Sequence, residues 1–154
     1  MKRHILALGL AATLVLGGAT AASAEETPNV HPDVAYALAN EPGGVAVDYY
    51  TAEWPALAMR LQVSSGLSAR SVGSCATGAV CAYSGGGMGG TKLSWTTCGT
   101  KSTAALSTVG SIANARTSGT LSALAAGIIK VSVGAGSYVN VPIAVRPLIT
   151  AVSC

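Results

Sequence analysis

From Gly73 to Cys154 the chain has no aspartate, no glutamate and no histidine, and its apolar runs are short and closed off by glycine. That feature narrows the fold more than any other. Glycine costs a helix interior about 1 kcal/mol per residue, and β-branched residues suit a pleated, half-buried surface, so long helices are excluded. Seven runs read as strands: Ala79–Ser84, Thr91–Trp95, Ser111–Ala115, Thr120–Ala125, Ile128–Val133, Tyr138–Val141 and Ile149–Val152. Ser118-Gly119, Gly134-Ala135-Gly136 and Pro142 mark turns between them, and TKSTAALSTVG predicts a helical turn in a connection. Short strands at this spacing predict a sandwich or Greek-key barrel.

The densest punctuation is CAYSGGGMGG, residues 81–90, with five glycines in six positions. It contains a G-x-G-x-x-G through Gly85, Gly87 and Gly90. A dinucleotide fingerprint needs a helix after it and an acid about twenty positions on. Here a strand follows and no acid lies downstream, and Thr91 separates Gly90 from Lys92, which breaks a P-loop as well.

The N-terminus predicts the compartment. Lys2, Arg3 and His4 precede the apolar run Ile5–Gly18, and Ala22-Ser23-Ala24 is a small-x-small cleavage site. Residues 1–24 are therefore expected to be a secretory signal peptide, leaving no membrane anchor once removed. Four cysteines, Cys75, Cys81, Cys98 and Cys154, lie beyond it. An even count in an oxidising compartment predicts two disulfides, with three pairings open. The spacing does not suit a zinc knuckle.

Residues 25–72 form a separate N-terminal appendage before the β domain of residues 73–154. HPDVAYALANEPGG predicts a short helix with Pro32 in its first turn and Val34 and Leu38 on one face. VAVDYY and LAMRLQV predict two strands joined by a turn at TAEWP, and SSGLSARSVGS is a small, polar linker. The appendage holds six acids against Arg60 and Arg70, a net −4, while residues 73–154 carry five cations, a net +5. The two parts are expected to attract each other, with the hairpin docked on the domain as added strands or as a cover. Their sum of +1 is too small and scattered for nucleic-acid binding.

The chemistry of catalysis is missing. After residue 24 the only histidine is His31, and the β domain has no base to activate any of its serines. A carboxylate pair would have to come wholly from the appendage, and paired cysteines leave no thiolate. The chain is expected not to be an enzyme and to need no cofactor.

Cys75-Ala-Thr-Gly-Ala-Val-Cys81-Ala-Tyr-Ser-Gly85 resembles the opening of the Streptomyces metalloproteinase inhibitor family and its actinobacterial relatives. These are secreted proteins with a βγ-crystallin-like fold. The resemblance continues through SIANARTSGT to Cys154 and covers about residues 74–154. It implies a mainly β, βγ-crystallin-like Greek-key sandwich with a helix-plus-hairpin appendage at its N-terminus. It implies a Cys75–Cys81 disulfide, with Cys98 and Cys154 as the remaining pair. It also implies that the glycine run is a folded-over hairpin, in which Tyr83, Met88 and Gly90 fill the aromatic, bulky and glycine positions and Met88 covers the core. The acidic positions of the family's calcium sites are held here by Leu106 and Ser107, so no calcium or other metal is expected. The function implied is a secreted, monomeric inhibitor of an extracellular metalloprotease. Pro142, Ile143, Val145, Arg146 and Pro147 form the candidate inhibitory loop, stiffened by its two prolines. The alternative is a crystallin-like interaction or killer-toxin-like module that binds cell-wall polysaccharide or another extracellular partner.

Overall fold

The computed structural model describes residues 29–64 and 75–154; the expected signal peptide and most of the polar linker lie outside the described residues. The described residues are mainly β, with one α-helix, α1 (Pro32–Asn40), and eleven strands. The strands are β1 (Val45–Asp48), β2 (Thr51–Trp54), β3 (Met59–Gln62), β4 (Val80–Tyr83), β5 (Lys92–Trp95) and β6 (Thr100–Ser102). They continue with β7 (Ser111–Asn114), β8 (Thr120–Ala125), β9 (Ile128–Gly134), β10 (Ser137–Asn140) and β11 (Ala151–Ser153).

Two antiparallel sheets face each other. One has the order β1-β2-β3-β5-β4-β7-β10, the other β6-β11-β8-β9. The strands from β4 onward fall into two sets of four that exchange one member. β4, β5 and β7 lie in the first sheet and send β6 to the second; β8, β9 and β11 lie in the second and send β10 to the first. Alternation puts Leu61, Leu93, Trp95, Val80, Ala82 and Ile112 on the inner face of the first sheet, against Leu121, Ala123, Val133 and Val152 of the second. Burying a side chain of this size stabilises by roughly 1.5–3 kcal/mol.

The N-terminal strands are part of the first sheet. β3 pairs with β5 in the register Met59↔Trp95, Leu61↔Leu93, so the inner-face row runs unbroken from Trp54 through Met59 and Trp95 to Val80. One expectation about this region is corrected. Thr51–Pro55 is not the turn: Thr51–Trp54 is β2, and the chain reverses at Tyr49-Tyr50. The physical reason lies on both sides of the reversal. The Asp48 carboxylate accepts the Tyr50 N–H at 2.8 Å and closes a side-chain-capped turn, while Ala52 and Trp54 alternate into the core. The Trp54 indole N–H donates to the Glu41 carbonyl at 2.7 Å. A Cβ at Gly44 would run into the Trp54 ring, so only glycine lets the chain pass so close after α1. Val34 and Ala37 of the helix are buried, and Leu38 is partly buried against the same core.

Both disulfides form, Cys75–Cys81 with Cα atoms 5.9 Å apart and Cys98–Cys154 with Cα atoms 5.5 Å apart. The second spans 56 positions, and a loop of that size stabilises by roughly 4 kcal/mol in the chain-entropy account. It fastens the end of β11 to the chain entering β6, where Ser153 already pairs with Thr100. The helical turn expected across TKSTAALSTVG is replaced in its first residues by β6. Those residues are polar because β6 is an edge strand, bonded only to β11.

Candidate functional site

The glycine run joins β4 to β5 by folding back over the outer face of its own sheet. Gly85 N–H donates to Gly89 O at 2.9 Å and Gly89 N–H to Gly86 O at 3.1 Å. Gly87, Met88 and Gly90 all have positive φ, of 62°, 60° and 75°. The Ser111 hydroxyl stitches the fold, donating to Gly85 O at 2.8 Å and accepting from Met88 N–H at 3.0 Å. Asn140 accepts the Gly87 N–H at 2.7 Å. Met88 then packs on a small second core with Cys75, Cys81, Tyr83 and Ala113, and burial there raises the Tyr83 pKa to about 12. The N–H groups of Gly85, Gly87, Met88 and Gly89 are all taken by acceptors within the protein, so they do not form a cradle for a phosphate.

The segment Pro142–Leu148 is not an extended loop. Ile143–Leu148 makes 3-10 turns, and Arg146 Nε donates to Val141 O at 2.9 Å. Proline's fixed φ suits a 3-10 turn as well as a strand end, so Pro142 and Pro147 stiffen a knob from which Ile143 protrudes, 79 % exposed. Val145 and Arg146 are half-buried beneath it.

Three surfaces remain. The first is the β8–β9 hairpin, whose two-residue turn at Ala126 and Gly127 has φ of 49° and 78°. The register skips Lys130, since Ala123 pairs with Val131 and Leu124 with Ile129. This bulge turns Ile129 outward beside Leu124 and leaves Ile128 overhanging the end of the sandwich; both isoleucines are 61 % exposed. The second is an aromatic cluster in which the Tyr49 and Tyr50 rings meet edge-on at 4.7 Å with His31 beside them. The third is a cleft of about 630 Å³ on the outer face of the seven-stranded sheet, with Glu53, Arg60, Gln62, Lys92 and Ser94 on its floor. Sequence reasoning missed this cleft, because its residues sit on three strands and meet only through the register.

Among the described residues no three His, Cys, Asp or Glu side chains lie close enough to hold a metal ion. The expected positions of a calcium site, Leu106 and Ser107, face Asp33 of α1 across a gap of about 20 Å³. The Asp33 carboxylate is taken up by the Thr91 hydroxyl, which anchors the helix to β5's entrance. No described helix is long and apolar enough to cross a membrane. Comparison with protein-family models, with curated proteins and with solved structures gives no match for this chain.

Proposed function

We propose that this chain is a secreted, non-enzymatic, crystallin-like protein that acts as a monomer by occupying the cleft of an extracellular peptidase, a metalloprotease first. The exchanged strands of the two four-strand sets support the crystallin-like reading, as does the hairpin folded over Tyr83 with Met88 and Gly90 at its tip. Two disulfides fit an oxidising compartment.

The observation that carries the inhibitory reading is the free edge of β9. It ends the four-stranded sheet, it is extended, and it presents Ile128 and Ile129 to solvent beside a rigid two-residue turn. Peptidase clefts hold extended chain by main-chain pairing with alternate side chains in pockets, and a strand already ordered in that shape binds without a large ordering cost. A thermolysin-like enzyme favours a bulky apolar residue after the scissile bond, which Ile128 or Ile129 supplies. The 3-10 knob at Ile143 lacks that extended backbone. Titration of the purified protein against thermolysin-like, serine and cysteine peptidases tests the proposal. Stoichiometric loss of metalloprotease activity is expected, and full activity of all three classes at excess protein overturns it.

The aromatic cluster favours a second reading, a module that binds cell-wall polysaccharide. Tyr49 and Tyr50, both 40 % exposed, present ring faces suited to stacking on sugars. Retention on insoluble cell wall, lost in Tyr49→Ala, would support that reading over inhibition.

A further inference from the structure

The outer-face cleft contains a pair of cations that the described residues balance only in part. On this face Arg60 of β3 sits opposite Ser94 of β5, and Gln62 sits opposite Lys92. Arg60 and Lys92 are therefore diagonal neighbours, within reach of long side chains. Glu53 pairs with Arg60 at 3.1 Å. The Lys92 ammonium makes no hydrogen bond and no ion pair with any described residue. It is half-buried, and burial first and the Arg60 charge second lower its pKa. Desolvating a cation without a partner is costly, and here the Arg60 charge repels it.

We propose that this cleft is a binding site for a carboxylate group, seated between Lys92 and Arg60 with Glu53 as its internal competitor. Arg60 already donates to one carboxylate through Nη1, so its guanidinium suits another group of the same kind. Lys92 adds a point charge that needs no particular geometry. The Ser94 hydroxyl and the Gln62 amide stand beside them, and Pro55 and Ala58 offer an apolar wall to the body of the ligand. Glu53 and Arg60 are 39 % and 51 % exposed at their side chains, so the incoming group meets an ion pair already open to water. The site lies on the opposite sheet from the β8–β9 hairpin, and it stands whether or not the peptidase reading holds.

The probe is sodium acetate, titrated into isotopically labelled protein at constant ionic strength and followed by the amide signals of Arg60, Gln62, Lys92 and Ser94. Saturable shifts are expected, with a Kd on the order of millimolar, as suits one small anion on two cations. Lys92→Met should weaken binding about tenfold or more by removing the unpaired charge. Glu53→Gln should strengthen it several-fold, about threefold to tenfold, by freeing Arg60 from its competitor. The two variants move affinity in opposite directions, which a general loss of structure does not do, and unchanged amide signals away from the cleft report the fold. Shifts that stay linear in acetate overturn the proposal, as do equal affinities in wild type and Lys92→Met. Sodium phosphate is the second arm, and binding about ten times tighter than acetate overturns the assignment to a carboxylate.

Discussion

The hairpins β4–β5 and β8–β9 hold the same station in the two exchanged sets of strands, and the chain treats them in opposite ways. The first has an eight-residue connection, Ser84–Thr91, folded back over the outer face of its own sheet and tied down by Ser111 and Asn140. Its outer strand, β5, is covered by β3. The second turns in two residues, points away from the core and leaves β9 hydrogen-bonded on one side only. An open strand edge invites pairing with another chain, and proteins usually blunt it. Here the blunting is slight, a bulge and one lysine at position 130. The difference teaches that the N-terminal strands do for one half of the molecule what nothing among the described residues does for the other. One hairpin is tied into the fold and the other keeps an open edge.

The largest expected effect comes from making the two edges alike. A chain beginning at Ser71 lacks β1–β3, so Leu93 and Trp95 lose Leu61 and Met59 as neighbours and β5 becomes an open edge. With several large side chains exposed at roughly 1.5–3 kcal/mol each, thermal melting should fall by well over 10 °C, since about 1 kcal/mol moves a domain this size by about 4–8 °C. An unchanged melting temperature would show that the N-terminal strands are an ornament on the sheet and would break the comparison. Ser111→Ala comes next. It strands the Met88 N–H and the Gly85 carbonyl together, and a loss of about 2 kcal/mol is expected in chemical denaturation. A change below about 0.5 kcal/mol would mean that the glycine hairpin holds its shape without that stitch.

Legibility followed local period. β4, β5 and β7–β11 all fall on short apolar or alternating runs set off by glycine or proline, because that pattern depends only on neighbours in the chain. β6 escaped notice because Thr100, Lys101 and Ser102 have no apolar face to betray a strand. β2 was mistaken for a turn because Pro55 follows it and Asp48, whose side chain makes the true turn, sits inside an apolar run. Pro142 and Pro147 said nothing of the direction of the chain, since one φ serves both a strand end and a 3-10 turn. The strand exchange was illegible for a deeper reason. The two sets share topology without sharing residues, and Ile129 took its outward face from a bulge that only the register of β8 and β9 reveals.

A smaller effect tests the buried side of the comparison through pH. The Tyr83 hydroxyl, raised by burial to about 12 under Met88, keeps its proton in the folded state after the unfolded chain has lost it. The contribution is therefore complete below pH 10 and is lost as pH rises through 10 towards 12, by about 1 kcal/mol per unit. Lys92 works with the opposite sign, because its lowered pKa makes stability rise with pH over the range where only the unfolded chain still holds the proton. The quantity to measure is thus the difference between the wild type and Tyr83→Phe, which should shrink above pH 10. A difference that stays flat to pH 11 would place Tyr83 in a wetter setting than the folded hairpin provides.

The smallest effect on stability should come from the exposed hairpin, and it separates the two hairpins most sharply. Ile129→Ser removes a side chain that is 61 % exposed and paired in register with Leu124 beside the bulge. Stability should change by no more than about 0.5 kcal/mol, in contrast to Ser111→Ala at the other hairpin. Inhibition of a metalloprotease, if it runs through this edge, should weaken about tenfold, since losing a buried anchor at an interface typically costs more than 1 kcal/mol. Ile143→Ser is the matched control, removing an isoleucine still more exposed but carried on 3-10 backbone. Should Ile143→Ser weaken inhibition while Ile129→Ser leaves it intact, the contact surface is the knob between Pro142 and Pro147, and the open edge of β9 serves some other purpose.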